Sequence, residues 1–342
     1  MTTPLLSVVV PVYNAASTLD RLLHTFRTQT EQCFEVIFVD DGSTDNSLAL
    51  LQEREGKEPF SMVVHHTENR GVSAARNTGM DLATGAYISF VDADDLLIPE
   101  YVEILLDAVE KGNFELFVFQ SLRTEKTDLT GSQTKYMGTT SVSGQDMLMR
   151  VAANPTLFGV YNFFLNRSFL EEHRFRFATG YAYYEDYDLI YRMLASCEQC
   201  LVTEHQMYFY ILQEGSAVAT FRVERLSNVE LLETLIPYLN VKAPGFLEEY
   251  VNHVIPRIYW SVMWQAALAF SPKDAKRFAK AANMKEQLSR LTDYSGKKVS
   301  LSSRLFLLSP TLFIHAARLL GRSHSKIQPT DVQPFLDYFN EN

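Results

Sequence analysis

Three aspartates, Asp92, Asp94 and Asp95, directly follow a short apolar run that ends at Val91. Like charges this close together raise the free energy of the ionised carboxylates unless a cation neutralises them. Neither Cys nor His stands beside them, and carboxylate oxygens alone favour a hard cation such as Mg²⁺ or Mn²⁺. Because Mg²⁺ usually completes its shell with substrate phosphates, the cluster indicates a diphosphate-bearing substrate. An Asp-rich turn that caps the next helix explains the same residues, and both interpretations stay open at this point.

The elements that would position these aspartates alternate between strand and helix patterns over the first 120 residues. Short apolar, β-branched runs predict buried parallel strands, and segments with helical spacing follow each of them. The predicted strands are 6–12, 34–39, 60–64, 87–91 and 116–119. This repetition predicts a mostly parallel sheet with helices on both faces, in which ligands bind beyond the carboxyl ends of the strands.

Three polar clusters fall at predicted carboxyl ends of strands: Tyr13-Asn14, residues 40–43 and residues 92–95. Asp40 or Asp41 is expected to accept hydrogen bonds from a base or a ribose. The chain has neither of the glycine-rich loops that cradle dinucleotide or Walker-type phosphates, so a metal must carry much of the phosphate charge. Arg76 is expected to face the same crevice and to pair with a phosphate, with a surface ion pair as the alternative.

Length and composition limit the classes of protein to consider. The 342 residues suggest two domains, and the predicted division is a sheet domain over 1–220 and a helical domain over 221–342. A net charge of −10 argues against a nucleic-acid partner. Three cysteines form no disulfide framework and indicate a reducing compartment. No signal peptide or 18-residue apolar stretch is expected, so the predicted location is cytoplasmic.

A basic region within the helical part stands out from this acidic chain. Residues 273–326 hold twelve Lys or Arg and only three acidic residues, Asp274, Glu286 and Asp293. The apolar segment 305–314 lies inside the region. Basic residues around a short apolar segment predict peripheral docking on an anionic membrane surface. A helix pair that packs on the body of the protein, with its basic residues solvated, is the alternative.

Four motifs now point to a known family. They are Ser7–Asn14 (Ser-Val-Val-Val-Pro-Val-Tyr-Asn), Val39–Asp45 (Val-Asp-Asp-Gly-Ser-Thr-Asp), Asn69–Asn77 and Phe90–Asp95. In this order and spacing they resemble the nucleotide-sugar-binding half of a family 2 glycosyltransferase with the GT-A fold. A fifth segment, Tyr183–Asp188, resembles the family's Glu-Asp segment, where a carboxylate serves as the catalytic base. The resemblance extends to about residue 216.

The resemblance implies a role for each matched residue at the donor. Tyr13, next to Pro11 in the first motif, would stack on the nucleotide base, and Asp41 would bond the edge of that base. Asp92 would contact the ribose side of the donor, with Arg76 near the phosphates.

The resemblance also implies the cofactor and the chemistry. Asp94, with help from Asp95, would ligate the Mn²⁺ or Mg²⁺ that bridges the diphosphate, and Asp186 would remove the proton from an acceptor hydroxyl. Glu185 and Asp188 are the less favoured bases. The start of a helix is expected to keep Asp186 ionised. A single base implies inversion at the sugar. The implied partners are a UDP-linked or related sugar donor and a saccharide or lipid-linked acceptor in surface polysaccharide synthesis, such as capsule.

Two departures from the family pattern concern positive charge. Tyr161-Asn162-Phe163-Phe164 replaces a segment that carries Lys in many relatives, and Ile211–Glu214 precedes Gly215-Ser216 where many relatives carry Arg. The phosphate contact would then shift to Arg76 or to the C-terminal region. A nucleotidyltransferase of similar build is one alternative function, and an inactive nucleotide-sugar-binding scaffold is another.

Overall fold

The computed structural model describes residues 4–125, 138–154, 158–212, 224–321 and residue 333. The chain divides into two compact units. The first comprises residues up to Tyr181 together with Glu185–Leu212, and the second comprises Ala182–Tyr184 and the chain from Gln213 onward. The predicted domain boundary near residue 220 falls among residues 213–223, outside the described residues.

The first unit alternates strands and helices as expected. Its strands are β1 (Leu6–Val12), β2 (Phe34–Asp41), β3 (Ser61–Thr67), β4 (Tyr87–Phe90), β5 (Leu96–Leu97), β6 (Leu116–Thr124), β7 (Thr140–Ser143), β8 (Phe163–Asn166) and β9 (Gln199–Ile211). Its helices are α1 (Leu19–Arg27), α2 (Ser47–Arg54), α3 (Val72–Leu82), α4 (Tyr101–Glu110), α5 (Gly144–Ala153), α6 (Arg167–Glu172) and α7 (Glu185–Ser196). The sequence also predicts a strand over 156–165, but β8 begins only at Phe163, because Val160–Asn162 form a 3₁₀ turn.

Among the described residues nine strands form one sheet in the order β3-β2-β1-β4-β8-β6-β9-β5, with β7 paired to β9. β1 pairs in parallel with β2 and β4, and β2 pairs in parallel with β3. β1 and β2 are almost wholly buried, which explains their continuous apolar sequences. The expected α/β fold with a parallel core is confirmed. The part of the sheet that follows β4 is mixed, since β8 runs antiparallel to both β4 and β6.

Helix α3 lies very close to the sheet. A Cβ atom added at Gly79 would stand 2.2 Å from a methyl carbon of Val9, so only glycine fits at this contact. At the start of the helix Gly71 has a φ of 89°, a conformation that glycine adopts without strain. These two glycines fix the place of α3 against β1, and with it the place of every side chain on α3.

The second unit is helical, as the sequence predicts. Its helices are α8 (Glu224–Ser227), α9 (Val229–Glu233), α10 (Ile236–Lys242), α11 (Pro244–Glu249), α12 (Ile255–Ala269), α13 (Pro272–Ala281), α14 (Met284–Ser289), α15 (Lys297–Leu308) and α16 (Pro310–Gly321). A π-helical segment, Tyr250–Val254, precedes α12. The helical spacing of residues 303–320 predicts a single helix, but Pro310 divides it, because proline fits the first turn of a helix and not its interior. The sequence also predicts a helix over 332–339, which lies outside the described residues apart from residue 333.

Candidate active site

The loops that follow β1 and β2 are joined to each other. Asn14 has a φ of 51°, and its side-chain oxygen accepts hydrogen bonds from the backbone N–H groups of Thr44 (2.7 Å) and Asp45 (3.3 Å). Next to it, Tyr13 is 54% exposed at the end of β1. An exposed ring on a fixed loop provides a stacking surface. Pro11 lies within β1 beyond the last residue that pairs with β4, where a missing N–H costs no ladder hydrogen bond.

The two aspartates at the end of β2 are buried and bonded to the protein. Asp41 accepts hydrogen bonds from the backbone N–H groups of Arg70 and Gly71, both at 2.8 Å. Asp40 pairs with His66 at 2.8 Å, while its second oxygen has no partner among the described residues. The expected contact of Asp41 with a base stays a prediction. In this geometry its two oxygens hold the loop that leads into α3.

The three aspartates after β4 differ in what they contact. Asp95 is only 1% exposed, and it accepts hydrogen bonds from the Tyr208 hydroxyl (2.5 Å) and the Ile211 N–H (2.7 Å). Burial, together with Asp92 and Asp94, raises the pKa of Asp95 to about 8. Asp95 thus ties this turn to β9. Its expected share in a metal site stays a prediction, since both of its oxygens already accept protein hydrogen bonds.

Asp94 is a second carboxylate of this turn whose ionised form is disfavoured. Burial and the neighbouring Asp92 carboxylate raise the pKa of Asp94, and Arg21 opposes that rise. Arg21 also donates a hydrogen bond to the Asp94 backbone carbonyl at 2.7 Å, which fixes the turn to α1. A bound divalent cation would stabilise the ionised form of Asp94.

Arg76 connects two parts of the site that lie far apart in sequence. From α3 its guanidinium donates to Asp92 at 3.0 Å and to Glu185 at 3.4 Å. The guanidinium also lies 5.3 Å from the centre of the Phe177 ring. Burial lowers the pKa of Arg76, but the three carboxylates of Asp92, Glu185 and Asp186 more than offset this and raise it. The expected phosphate contact stays a prediction, because Arg76 is already paired with two carboxylates.

Helix α7 begins with the acidic residues that the sequence singled out. Glu185 pairs with Arg76, and Asp188 is buried and bonded through both oxygens to Arg192. Asp186 accepts a hydrogen bond from the Tyr187 N–H at 2.8 Å. Burial and the Glu185 charge raise the pKa of Asp186 to about 7, against the lowering effect of Arg76. Burial therefore outweighs the helix start that was expected to keep Asp186 fully ionised, and the result is a stronger base.

An aromatic cluster with one cation borders the carboxylates, and sequence reasoning missed its role. Tyr161 stacks on Tyr208 with ring centres 4.6 Å apart, and Tyr208 bonds Asp95. The Arg123 guanidinium lies 5.4 Å from the centre of the Tyr210 ring and hydrogen-bonds Tyr161. Burial raises the pKa of Tyr161, and the charges of Asp92 and Asp186 add to that rise. The Tyr161 hydroxyl is therefore close enough to Asp92 and Asp186 for their charges to raise its pKa.

No pattern within either segment could have revealed this cluster, because the cluster depends on how two strands pair. Arg123 and Tyr210 are register partners in the parallel pair of β6 and β9. The sequence showed only a polar segment after residue 120 and a strand rich in aromatics near 208, with nothing to indicate that the two pair.

The carboxylates of this site suit a divalent cation that takes its remaining ligands from substrate and water. The described residues contain no group of three or more His, Cys, Asp or Glu arranged to hold a metal by themselves. Asp94, crowded by Asp92, fits an ion that takes one or two carboxylates and completes its shell with phosphate oxygens and water. The residues present suit a cation that arrives with its substrate.

Comparison with known proteins gives a family match. The family model described as "Glycosyl transferase family 2" matches residues 7–175. The uncharacterized glycosyltransferase YibD of Escherichia coli (strain K12) is 28% identical over 240 residues, which are 66% of this chain and 66% of that protein. The chain spans 28% of the length of a Rickettsia felis glycosyltransferase and 16% of the length of the glycosyltransferase GlyA of Streptococcus pneumoniae.

Two solved structures show the same fold. TarS 1–349 of S. aureus in complex with UDP-GlcNAc has a TM-score of 0.56 at 19% identity, over 88% of this chain and 91% of that one. The mannosyltransferase PcManGT from Pyrobaculum calidifontis, in complex with GDP-Man and Mn²⁺, has a TM-score of 0.56 at 17% identity. That match covers 95% of this chain and 89% of the other. At such identities the likeness concerns the fold.

Proposed function

This chain belongs to glycosyl transferase family 2, and we propose that it is a metal-dependent, inverting hexosyltransferase. It would move a sugar from a nucleoside-diphosphate donor, UDP-linked by preference, to a saccharide or lipid-linked acceptor. Solved structures of the same fold bind UDP-GlcNAc in one case and GDP-Man with Mn²⁺ in another, which supports a donor of this class. The nucleotidyltransferase alternative has no observation in its favour.

One observation carries the proposal. Arg76 spans Asp92, at the end of β4, and Glu185, at the start of α7, with distances of 3.0 and 3.4 Å. A single guanidinium therefore holds the strand-end carboxylates and the helix that bears Asp186 in one place. A transfer reaction needs this arrangement, with a donor-binding group on one side and a base on the other.

On the donor side, the exposed Tyr13 ring would stack on the base and Asp92 would contact the ribose. Asp94, helped by Asp95 if its hydrogen bonds rearrange, would ligate Mn²⁺ or Mg²⁺. When bound, the cation stabilises the negative charge that develops on the departing diphosphate. Asp41 would act through the loop before α3, and its contact with the base remains part of the proposal.

On the acceptor side, Asp186 would take the proton of the attacking hydroxyl. The acceptor oxygen forms a bond to the anomeric carbon as the bond to the diphosphate oxygen breaks, and the electron pair leaves with the nucleoside diphosphate. With its pKa raised to about 7, Asp186 is a better proton acceptor than an ordinary aspartate, yet it is partly ionised at neutral pH. One displacement with one base inverts the configuration of the sugar.

Positive charge for the phosphates has a candidate besides Arg76. Arg123 lies beside Tyr161, and the charges of Asp92 and Asp186 raise the pKa of the Tyr161 hydroxyl. Because Arg76 is paired with two carboxylates, Arg123 is the better placed to contact the diphosphate. The Arg expected from relatives before Gly215-Ser216 is replaced in a segment that begins at Ile211 and runs outside the described residues.

We place the enzyme on the cytoplasmic side of a membrane, where lipid-linked acceptors for surface polysaccharides such as capsule are available. None of the helices in the described part of the chain is long and apolar enough to cross a membrane. The charge of residues 273–326 supports a peripheral contact with anionic lipid.

The test is a screen of nucleoside-diphosphate sugars with Mn²⁺, which follows thermal stabilisation and release of nucleoside diphosphate. We expect one donor to raise the melting temperature and to be hydrolysed slowly, with both effects lost in chelator. If a donor binds but no nucleoside diphosphate is released with any acceptor, the chain is a nucleotide-sugar-binding scaffold. If no donor binds, the proposal fails.

A further inference from the structure

Helices α15 and α16 expose large apolar side chains that the fold does not use. On α15, Leu301 (63% exposed) and Leu308 (79% exposed) lie two turns apart on one helix face, with the half-buried Leu305 between them. On α16, Leu312 and Leu319 repeat the pattern, and Leu319 is 74% exposed. With Leu320 these side chains form what we call the leucine face (Leu301, Leu305, Leu308, Leu312, Leu319 and Leu320). Exposed leucines on two neighbouring helices are uncommon unless something covers them.

The leucine face is not the face that holds these helices in the unit. Phe306 of α15 and Phe313 of α16 are buried, with ring centres 5.4 Å apart, and Phe313 also packs against Trp264 of α12. The Trp260 indole N–H donates to the Ser302 hydroxyl at 2.8 Å, and Arg318 donates to the Ala267 carbonyl at 2.8 Å. The two helices are therefore firmly tied to α12 through other residues. Within the described part of the chain, the exposed leucines of this face are not covered by other residues.

The charge of the same segment indicates which partner. Residues 297–321 contain four Lys or Arg and no Asp or Glu. Lys297 and Arg304 are exposed, and Arg304 stands on the α15 face that carries Leu301 and Leu308. Arg304 also pairs with the exposed Asp293 at 3.1 Å, so the exposed Lys297 and Lys298 supply the net positive charge of this border. An apolar surface with a net positive border is complementary to lipid with anionic headgroups.

The dimensions indicate the mode of contact. Each of the two helices has 12 residues, or a length of about 18 Å, which is well short of the roughly 30 Å hydrocarbon core of a bilayer. Helices of this length with leucines on one side lie in the plane of a membrane surface, with the apolar face inserted at the headgroup boundary.

We propose that the leucine face is a membrane-docking surface that inserts its leucines into a bilayer containing anionic lipid. This deepens the peripheral membrane contact included in the proposed function, and it locates that contact on α15 and α16 rather than on the basic region as a whole. Arg322 and Lys326, the basic residues at the end of that region, lie outside the described residues.

The experiment is sedimentation of the full chain with sucrose-loaded vesicles. One set contains phosphatidylglycerol mixed with phosphatidylcholine, and the other contains phosphatidylcholine alone. We expect the wild type to sediment mainly with the mixed vesicles. The double variant Leu308→Asp/Leu319→Asp should lose this binding by about tenfold or more, because it places two anions against the headgroups.

The matched control is Val241→Asp on α10, which changes an equally exposed apolar residue (76%) outside the leucine face and should sediment like the wild type. Equal sedimentation of the double variant and the wild type overturns the proposal. So does a wild type that is dimeric by light scattering and becomes monomeric in the double variant, since a second copy would then cover the face. Because no donor or metal enters this assay, its outcome is independent of the transferase proposal.

Discussion

Buried carboxylates at the two ends of the parallel sheet differ in how far the protein compensates their charge. At the amino ends of the strands, one oxygen of Glu35 accepts hydrogen bonds from the Ser7 hydroxyl (2.6 Å) and from the N–H and hydroxyl of Thr84 (both 2.8 Å). At the carboxyl ends, Asp41 is also held by two backbone N–H groups. Asp94, after β4, and Asp186, at the start of α7, instead have raised pKa values because burial and neighbouring carboxylates disfavour their charge. One end is compensated within the fold, and the other keeps an excess of negative charge.

This difference separates structural from functional acidic residues. A carboxylate that serves only the fold is surrounded by donors, as Glu35 is, because an unmet buried charge costs stability. A carboxylate that must bind a cation or accept a proton cannot be fully satisfied beforehand. Neutralising an uncompensated acidic residue at the carboxyl ends is therefore expected to stabilise the protein. Neutralising Glu35 at the amino ends is expected to destabilise it.

The largest effect is expected from Asp94→Ala. If Asp94 holds the divalent ion, transfer should fall by about a thousandfold or more, because the charge on the leaving diphosphate is no longer stabilised. Turnover with the best donor, titrated with Mn²⁺, measures this. Glu35→Ala at the other end of the sheet is the control that should keep its metal dependence. Unchanged turnover in Asp94→Ala would remove the metal assignment.

Asp186→Asn should lower transfer by about a hundredfold to ten-thousandfold while donor binding persists, since only proton removal is lost. The variant should also melt at a higher temperature than the wild type at pH 8. The raised pKa of Asp186 means that its contribution to stability is present at low pH and is lost as pH rises through about 7. Asp188→Asn is the matched control on α7, and it should keep transfer close to that of the wild type, because the Asp188 carboxylate is bonded to Arg192 and is not the proposed base. An active Asp186→Asn enzyme would exclude Asp186 as the base.

The pH dependence sharpens the same assignment. Because the base must be ionised, kcat/KM for the acceptor should fall about tenfold per pH unit below the pKa of Asp186, which lies at about 7. The profile is measured at saturating donor and Mn²⁺. A flat profile between pH 5 and pH 8 would contradict a base with a raised pKa.

Arg123→Gln tests whether Arg123, which lies outside the recognised motifs, binds the diphosphate next to the acidic residues at the carboxyl ends of the strands. Loss of a charged contact to the diphosphate should weaken binding of UDP with Mn²⁺ by about tenfold, with a smaller effect on UMP. Arg150→Gln, an exposed arginine on α5, is the control. Equal losses for UDP and UMP would point to a structural role for Arg123. If the wild type binds neither nucleotide, the donor class itself is wrong.

The smallest effect on activity is expected from Glu35→Ala, which leaves the donors of Ser7 and Thr84 without their acceptor. The free energy of unfolding should fall by about 2 kcal/mol, because buried donors lose their hydrogen bonds. Denaturant unfolding measures this loss, and kcat should stay close to that of the wild type below the melting temperature. A large loss of kcat would mean that the two ends of the sheet are not independent.

The sequence predicted what local patterns control. Apolar runs and helical spacing located β1 to β4 and α3, and the parallel arrangement then brought the polar ends of the strands together. The family resemblance is confirmed by the match over residues 7–175. Asp186 was selected by its motif, but no sequence pattern measures its burial, so its raised pKa was not predicted.

What the sequence did not predict depends on contacts between distant segments. Asp41 was expected to contact a nucleotide base, and Asp95 was expected to contact a metal ion. Asp41 instead accepts hydrogen bonds from the backbone N–H groups of Arg70 and Gly71, and Asp95 accepts one from the Tyr208 hydroxyl. The sequence identifies a residue as Asp, but it does not show which hydrogen-bond donors surround that carboxylate in the fold. Arg123 was missed for the same reason, because its neighbours are set by the pairing of β6 with β9.

The Arg76–Glu185 ion pair joins residues 109 positions apart in the chain, whereas Arg76 and Asp92 are separated by 16. Contacts with a large sequence separation carry a higher entropic cost of loop closure and form late when a chain folds. The parallel core of β1 to β4 can form before α7 arrives. During refolding from denaturant, recovery of catalytic competence should therefore lag behind recovery of secondary structure, and a nascent chain will have its donor-binding half before it has its base.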